Sequence, residues 1–358
     1  MKALITAGGR ATRLRPITWT LNKHLIPLAN KPMIEYAIDK LADVNVREIG
    51  IIVSEGDKDL ERALGDGSRF GVKITYIEQI GGALGIAHAV NIAQPFLGDE
   101  PFIFYLGDNI ILGSLKRFVD KFESEKLNCL LALAAVKDPR AFGVPEIVDG
   151  RIVRVDEKPL QPKSNYAVTG IYIYDKNFFE AFKHITPSAR KEYEISDVHT
   201  WLIEKKHAVG YEEITGWWKD TGRPDDMLEG NALILNEMLA SEMKCDGEVQ
   251  EGARIQGKVR IGKGTKIGAR VLIRGPVVIG ENCELSDCYI GPYTSLGNNV
   301  KISGAEIEHS LILDGTVVRA AKRIVDSLIG RNSTICRVEE TLPFGHRLVV
   351  GDNGVVEL

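Results

Sequence analysis

Three groups of residues in this 358-residue chain carry side chains suited to chemistry on phosphates. The first is AGGRATRLR, residues 7–15, where Gly8 and Gly9 follow a short apolar run and Arg10, Arg13 and Arg15 come next. Glycines let the backbone turn tightly and present its N–H groups, and arginine forks beside such groups suit a polyphosphate. The same pattern also suits a solvated surface turn. It is neither a Walker A loop nor a dinucleotide fingerprint, because no Gly-Lys-Ser/Thr and no G-x-G-x-x-G follows. Lys23, in NKHLIPLANKP, sits shortly before Pro27 and so belongs to a loop. The second group is a pair of distant aspartates: Asp108 closes FIFYLGD, and Asp220 lies in the turn-rich GWWKDTGRP. One carboxylate from each of two separated segments is a usual way to hold Mg²⁺ with substrate phosphates. Taken singly, an aspartate in such a place is more often a cap or turn residue. The third group is Glu157-Lys158 at the end of IVRVDEKP. Together these residues point to phosphate chemistry on a sugar. No Ser-His-Asp, Cys-His or H-E-x-x-H arrangement is present to supply a covalent nucleophile or a zinc site.

The elements that must position these residues alternate between strand and helix up to about residue 240, the pattern of a mostly parallel α/β sheet. Apolar runs at 3–6, 48–54, 72–78, 102–108, 129–136 and 166–175 read as strands. MIEYAIDKLADV, residues 33–44, reads as an amphipathic helix with Met33, Ile34, Ala37, Ile38 and Leu41 on one face. A helix from Pro224 to Lys244 is expected to lead out of the first domain. Asp108 and Glu157 then fall just past the carboxyl ends of strands, where α/β sheets bind ligands.

Beyond that helix the period changes to six. Val249, Ile255, Ile261, Ile267, Ile273, Ile279 and Leu285 recur in step, and after a one-residue slip come Ile290, Leu296 and Ile302, with Ile329 and Ile335 later. Small residues often follow, as in IGKGTK and IGENCE. Alternating strands would show a period of two, whereas hexads are the signature of a left-handed parallel β-helix whose coils bury one another's interiors. A loop is expected around Lys322, and a closing hairpin in HRLVVGDNGVVEL, turning at Asp352-Asn353-Gly354. The expected domains are 1–244, a Rossmann-like catalytic domain, and 245–358, the β-helix.

Charge is nearly balanced, with 45 Lys and Arg against 49 Asp and Glu. That argues against a nucleic-acid-coating or membrane-surface protein and makes any anion site local. The apolar runs are of strand length, and the start lacks a signal peptide's apolar core, so a cytoplasmic protein with no membrane partner is expected. Five scattered cysteines without C-x-x-C spacing read as reduced thiols.

With AGGRATRLRPIT, NKHLIPLANKPMIEYAI, YLGDN, EKPLQPKSNYAVTGIYIYD, EYEISDV and WWKDTG, essentially the whole chain resembles the sugar-phosphate nucleotidyltransferases, in the long form with a C-terminal β-helix. The resemblance implies that Gly8 and Gly9 wrap the nucleotide's phosphates, with Arg13 on the triphosphate and Lys23 near the reacting phosphates. Asp108 and Asp220 would bind Mg²⁺, with Asp108 also on the nucleotide, and Gln79 and Gly85 would read a pyrimidine base. Gly143, Glu157, Lys158, Glu194 and Asn109 would hold the sugar phosphate. The implied reaction joins a nucleoside triphosphate, dTTP foremost, to glucose 1-phosphate, giving dTDP-glucose and pyrophosphate for dTDP-rhamnose-type nucleotide-sugar biosynthesis. Alternatives are a UTP-dependent transfer to glucose or N-acetylglucosamine 1-phosphate, or a second, acyltransferase activity in the β-helix. His309 is the one histidine in the repeats that could serve the latter. Two departures stand out. Ala11 replaces a third glycine of the loop, and EQIGGALGIAHA has one residue more before Gly85 than the family pattern. All candidate catalytic residues precede residue 225, so the β-helix is expected to contribute stability and a homo-oligomer, a trimer foremost.

Overall fold

The computed structural model describes residues 1–337 apart from Arg10, Ala83, Leu239 and Ala321. The hairpin expected at the C-terminus lies outside the described residues. The chain divides into two compact units, Met1–Arg10 with Met33–Asp220, and Ala11–Pro32 with the chain from Thr221 on.

In the first unit, strands Phe102–Leu106, Lys2–Thr6, Glu48–Ser54 and Lys73–Gln79 lie side by side and parallel. Their continuous apolar runs suit burial on both faces. Ala3, Leu4, Ile5, Phe102 and Phe104 have at most 1% of their surface exposed. The sheet is mixed beyond this block. Tyr166–Tyr174 runs antiparallel between Phe102–Leu106 and Cys129–Ala135, and Val209–Glu213 joins the latter in parallel. Gly143–Val148 and Arg151–Glu157 form an antiparallel pair beside the first residues of Tyr166–Tyr174. Helix Met33–Asp43 buries the five apolar residues its periodicity marks. The core combines Leu4, Phe102, Phe104, Tyr174 and Phe178 with Val198 and Leu202 from helix Ile195–Glu204.

In the second unit, helix Pro224–Glu237 stops earlier than its sequence suggests, and Ala240–Glu242 forms a separate 3₁₀ turn before the first coil. Beyond it, short strands stack in parallel into three sheets, the faces of a left-handed β-helix. The hexad positions point inward: Ile261, Ile273, Ile279, Ile290, Leu296 and Ile302 are at most 1% exposed. Ile255 pairs with Ile273, but Ile273 pairs with Ile290, one residue fewer per coil, which is the slip visible in the sequence. Lys322 is a bend between strands Val317–Arg319 and Arg323–Val325, next to Ala321, which lies outside the described residues, but it does not interrupt the register as expected. Glu306–Glu308 pairs with Arg323–Val325 in unbroken register, and Ile324 takes the inward position that a strict six-residue count misses. Val249 and Ile255, on the first coil, lie in strands that end their sheets among the described residues and remain 41% and 37% exposed.

Candidate active site

The four parallel strands of the first unit end along one edge, and several candidate residues follow directly from that edge. Past Lys2–Thr6, Ala7 N–H donates to the Ile52 carbonyl, and Gly9 N–H donates to Ser54 Oγ at 3.2 Å. Gly9 has φ near 109°, which a residue with a Cβ rarely adopts, so this second glycine is a backbone requirement. Ser54 in turn pairs with Gln79, the last residue of its strand. Gly8, Gly9, Gln79 and Asp108 therefore share the carboxyl edge of neighbouring strands.

The two aspartates come together through a small ladder. Asn109–Ile111 pairs antiparallel with Trp218–Asp220, setting Asp220 opposite Asn109, the residue that follows Asp108 in the chain. Asn109 is only 3% exposed. Its Oδ1 accepts from Trp218 Nε1 at 2.6 Å and Gly170 N–H at 3.3 Å, while its Nδ2 donates to Asp108 Oδ1 at 2.9 Å. A Cβ at Gly170 would sit 2.8 Å from the Asn109 amide, so glycine is what lets the two segments approach. The amide of Asn109 thus orients Asp108. Among the described residues, no group of three or more His, Cys, Asp or Glu side chains is placed to hold a metal. A Mg²⁺ ion that keeps waters and takes phosphate oxygens needs only one or two carboxylates, so this pair fits such an ion.

A second cluster gathers the candidate sugar-phosphate residues. Glu157 pairs with Gly143 across its ladder, and Gly143 pairs on its other side with Val168. Lys158 follows in a left-handed conformation, its N–H on the Phe142 carbonyl and its Nζ 3.5 Å from Glu157 Oε1. Arg190 bridges the two glutamates, 2.7 Å from Glu194 Oε2 and 3.3 Å from Glu157 Oε1. Ser188 donates to Glu194 at 2.6 Å and Ser196 to Glu157 at 3.2 Å. Burial, and then the charges of Glu194 and Glu157, raise the nearby Asp197 carboxyl above its ordinary value.

At the position expected to read the base, Gln79 Nε2 lies 3.3 Å from His88 Nδ1. The His88 ring stacks on Tyr193, and burial lowers its pKa, which favours the neutral ring that can accept from the amide. That contact leaves Gln79 Oε1 free of the histidine. Gly85 has φ near 100°, and a Cβ there would lie 2.6 Å from the Tyr193 backbone, so no other residue fits. Gly81 and Gly82 are also left-handed, which accommodates the extra residue of this loop.

Arg13 and Lys23 belong to the second unit. Arg13 sits in the 3₁₀ turn Thr12–Leu14, and Lys23 opens the turn Lys23–Leu25, which is capped by Asn22 Oδ1 accepting from His24 N–H at 2.9 Å. Ala11 takes the left-handed conformation, φ 42°, that a glycine adopts without cost, and Thr18 Oγ1 holds its carbonyl at 2.8 Å. In the β-helix, His309 Nδ1 lies 2.5 Å from Asp326 Oδ1.

A nucleotidyl transferase family model matches residues 2–237. The chain belongs to that family. Its β-helix matches the bacterial transferase hexapeptide model at residues 258–286 and a GMPPB C-terminal domain model at residues 273–357. A glucose-1-phosphate thymidylyltransferase of Streptomyces griseus is 41% identical over all of this chain and 99% of its own length. The low-salt glycan biosynthesis nucleotidyltransferase Agl11 of Haloferax volcanii is 40% identical over the full length of both. A Bacillus anthracis protein crystallised with sucrose, and provisionally named for thymidylyl transfer to glucose 1-phosphate, superimposes with a TM-score of 0.63. It is 40% identical and covers 67% of this chain and 96% of that one. Members of this nucleotidyltransferase family generally use a divalent metal.

Sequence reasoning passed over the residues that hold the candidates in place. His88, Arg190, Ser188, Ser196 and Trp218 each bond a candidate side chain. Arg190 and the two serines could be suspected from their closeness in sequence to Glu194. Trp218 reaches Asn109 across 109 positions, and only pairing of the two strands reveals it.

Proposed function

We propose that this transferase moves the thymidylyl group of dTTP onto glucose 1-phosphate, releasing pyrophosphate. The observation that supports it best is the ladder that brings Asp220 beside the Asp108–Asn109 step, at the carboxyl edge of the sheet that also carries Gly9 and Gln79. A phosphate oxygen of the sugar 1-phosphate attacks the α-phosphorus of the triphosphate in line, and pyrophosphate leaves. The chain's task is to align two mutually repelling anions and to neutralise the charge shared among their oxygens. Gly8 and Gly9 give backbone N–H groups to the nucleotide phosphates, Arg13 and Lys23 supply fixed positive charge, and Gln79 with the close backbone at Gly85 reads the pyrimidine edge. Glu157, Lys158, Gly143 and Glu194 hold the sugar and its phosphate, and Asn109 aims Asp108. Asp108 and Asp220 would hold Mg²⁺, which when bound adds Lewis-acid charge stabilisation.

Around this chemistry, the catalytic domain runs to about residue 244 and the β-helix from 245 supports a homo-oligomer, a trimer foremost, which light scattering on the eluting protein tests. A cytoplasmic setting fits five thiols, none of them in a disulfide, and described residues with no helix long and apolar enough to cross a membrane.

Pyrophosphate release across dTTP, UTP, ATP and GTP, each with glucose, N-acetylglucosamine and mannose 1-phosphates, tests the reading. Both pyrimidine triphosphates should run well ahead of the purines. They should differ from each other less than either differs from the purines, because they share the Watson–Crick edge that Gln79 would read and differ only in the C5 methyl, worth ~1–3 kcal/mol in an apolar contact, and in the ribose 2′-hydroxyl. A purine preference overturns the base assignment, and an N-acetylglucosamine 1-phosphate preference with UTP favours the uridylyl alternative.

A further inference from the structure

The segment that carries Arg13 and Lys23, residues 11–32, is bonded within its unit to the β-helix and to the helix before it, at one tight turn. Pro27–Leu28 and Lys31–Pro32 pair as a two-stranded hairpin whose tip is Ala29-Asn30. Both tip residues are left-handed, with φ of 47° and 63°. Such tips favour Asn-Gly, and an alanine there is a conformation the chain does not hold unaided. Each polar backbone group of Ala29 is gripped from far along the sequence. Its N–H donates to Asn231 Oδ1 at 2.8 Å, and its carbonyl accepts from Arg260 Nη2 at 2.9 Å. Asn30 Nδ2 donates to the Leu296 carbonyl at 2.6 Å.

Asn231, on helix Pro224–Glu237, is wholly buried. It joins three segments. Besides Ala29, its Oδ1 accepts from Ser295 Oγ at 2.8 Å and its Nδ2 donates to the Tyr293 carbonyl at 3.0 Å. A fully buried polar side chain used in this way fixes a unique register between the elements it bonds. The turn it fixes lies six residues beyond Lys23, with Pro27 and the capped turn Lys23–Leu25 stiffening the interval.

We propose that Asn231, Asn30 and Arg260 are positioning residues for nucleotidyl transfer. On this view the β-helix face around Arg260 and Tyr293–Leu296 sets the conformation of the loop that presents Arg13 and Lys23, and is more than an assembly module. The inference rests on the reading of Lys23 as a phosphate-neutralising residue.

The test uses the full-length protein in four forms: Asn30→Ala, Arg260→Ala, Arg260→Lys and Lys23→Ala. Steady-state pyrophosphate release, thermal melts and amide hydrogen exchange are measured on each. Asn30→Ala and Arg260→Ala should lower kcat about tenfold or more, as loss of orienting hydrogen bonds does elsewhere, with KM for glucose 1-phosphate within about twofold. Exchange should quicken in peptides from residues 11–32, while peptides from coils 273–307 keep their protection. Arg260→Lys restores a donor for the Ala29 carbonyl and should recover most of kcat. Wild-type kcat in both alanine variants overturns the proposal, whatever the exchange shows. So does a kcat loss that comes with a lowered melt and quickened exchange throughout the β-helix, or one that Arg260→Lys does not recover. Lys23→Ala separates the two claims. If it keeps wild-type turnover, the reading of Lys23 fails. If it loses turnover while the alanine variants do not, only the positioning role fails.

Discussion

The two units solve the problem of placing side chains in opposite ways. In the β-helix one rule repeats: about every sixth residue points inward and stacks on an aliphatic residue of the next coil, while left-handed corner residues such as Asn282, Asn299 and Asn332 recur from coil to coil. In the α/β unit several candidate residues stand at an exception. Gly9 and Gly85 need positive φ, Gly170 needs the absence of a Cβ, and Asn109 spends its amide on three partners from different segments. Periodic structure tolerates averaging over many similar contacts, whereas a site depends on a few contacts that have no substitutes. The difference teaches where mutations should act on turnover and where on stability.

The comparison breaks most visibly at the aspartates. Asp108→Asn or Asp220→Asn should reduce pyrophosphate release ~10²–10³-fold, the usual cost of losing one charge-stabilising contact. The thermal melt should stay within a few degrees, and full turnover in either variant would remove the two-carboxylate assignment.

In the β-helix the balance should reverse. Ile290→Ala, inside the stack with no exposed surface, should cost about 2–5 kcal/mol in chemical denaturation. Val249→Ala, on the open first coil, should stay within about 0.5 kcal/mol. Equal costs at the two positions would mean that the first coil is covered.

A subtler break lies one step from the chemistry. Trp218→Phe keeps the ring packed edge-on against Phe142 but removes the Nε1 donor to Asn109. Turnover should fall about tenfold, with half-saturating Mg²⁺ rising by a similar factor.

Ala11 tests strain. A left-handed alanine costs ~1–2 kcal/mol, offset in Ala11→Gly by the greater freedom of glycine in the unfolded chain. The net expectation is a stabilisation of roughly 0.5–1 kcal/mol, read by urea melts.

The smallest expected effect is at Asp197, whose carboxyl is held above its ordinary value by partial desolvation and by the charges of Glu194 and Glu157. The unfolded chain ionises this group more readily than the fold does. Its contribution is therefore absent at low pH and becomes a penalty as pH rises through the unfolded value of 3.8 to the raised folded one. Asp197→Asn should raise the melting temperature at pH 7 and leave it nearly unchanged at pH 3.

Much of this was legible in the residues themselves. A six-residue period survives any folding detail, because each hexad sees the same neighbours. The slip after Leu285 and the strands and amphipathic helix of the α/β unit were equally visible, since apolar periodicity directly reflects which face is buried. A count of six alone reads a broken register at Lys322, whereas the bend there keeps Arg323–Val325 in step with Glu306–Glu308 on a shortened coil. The helix after Pro224 was read seven residues too long because its apolar pattern continues past Glu237, while the backbone turns at Met238.

By itself the sequence determined which residue types were available for phosphate chemistry and that two architectures, one alternating and one repeating, share the chain. Local spacing suffices for both. Only the tertiary structure decided that Asp220 stands opposite Asn109, that Arg190 clamps Glu157 to Glu194, and that Ala29 is held by Asn231 and Arg260. These partners lie between 4 and 231 positions apart. Apart from the Arg190–Glu194 pair within one turn of chain, they meet because distant strands and coils pack against one another, a long-range choice that no local pattern of residues encodes.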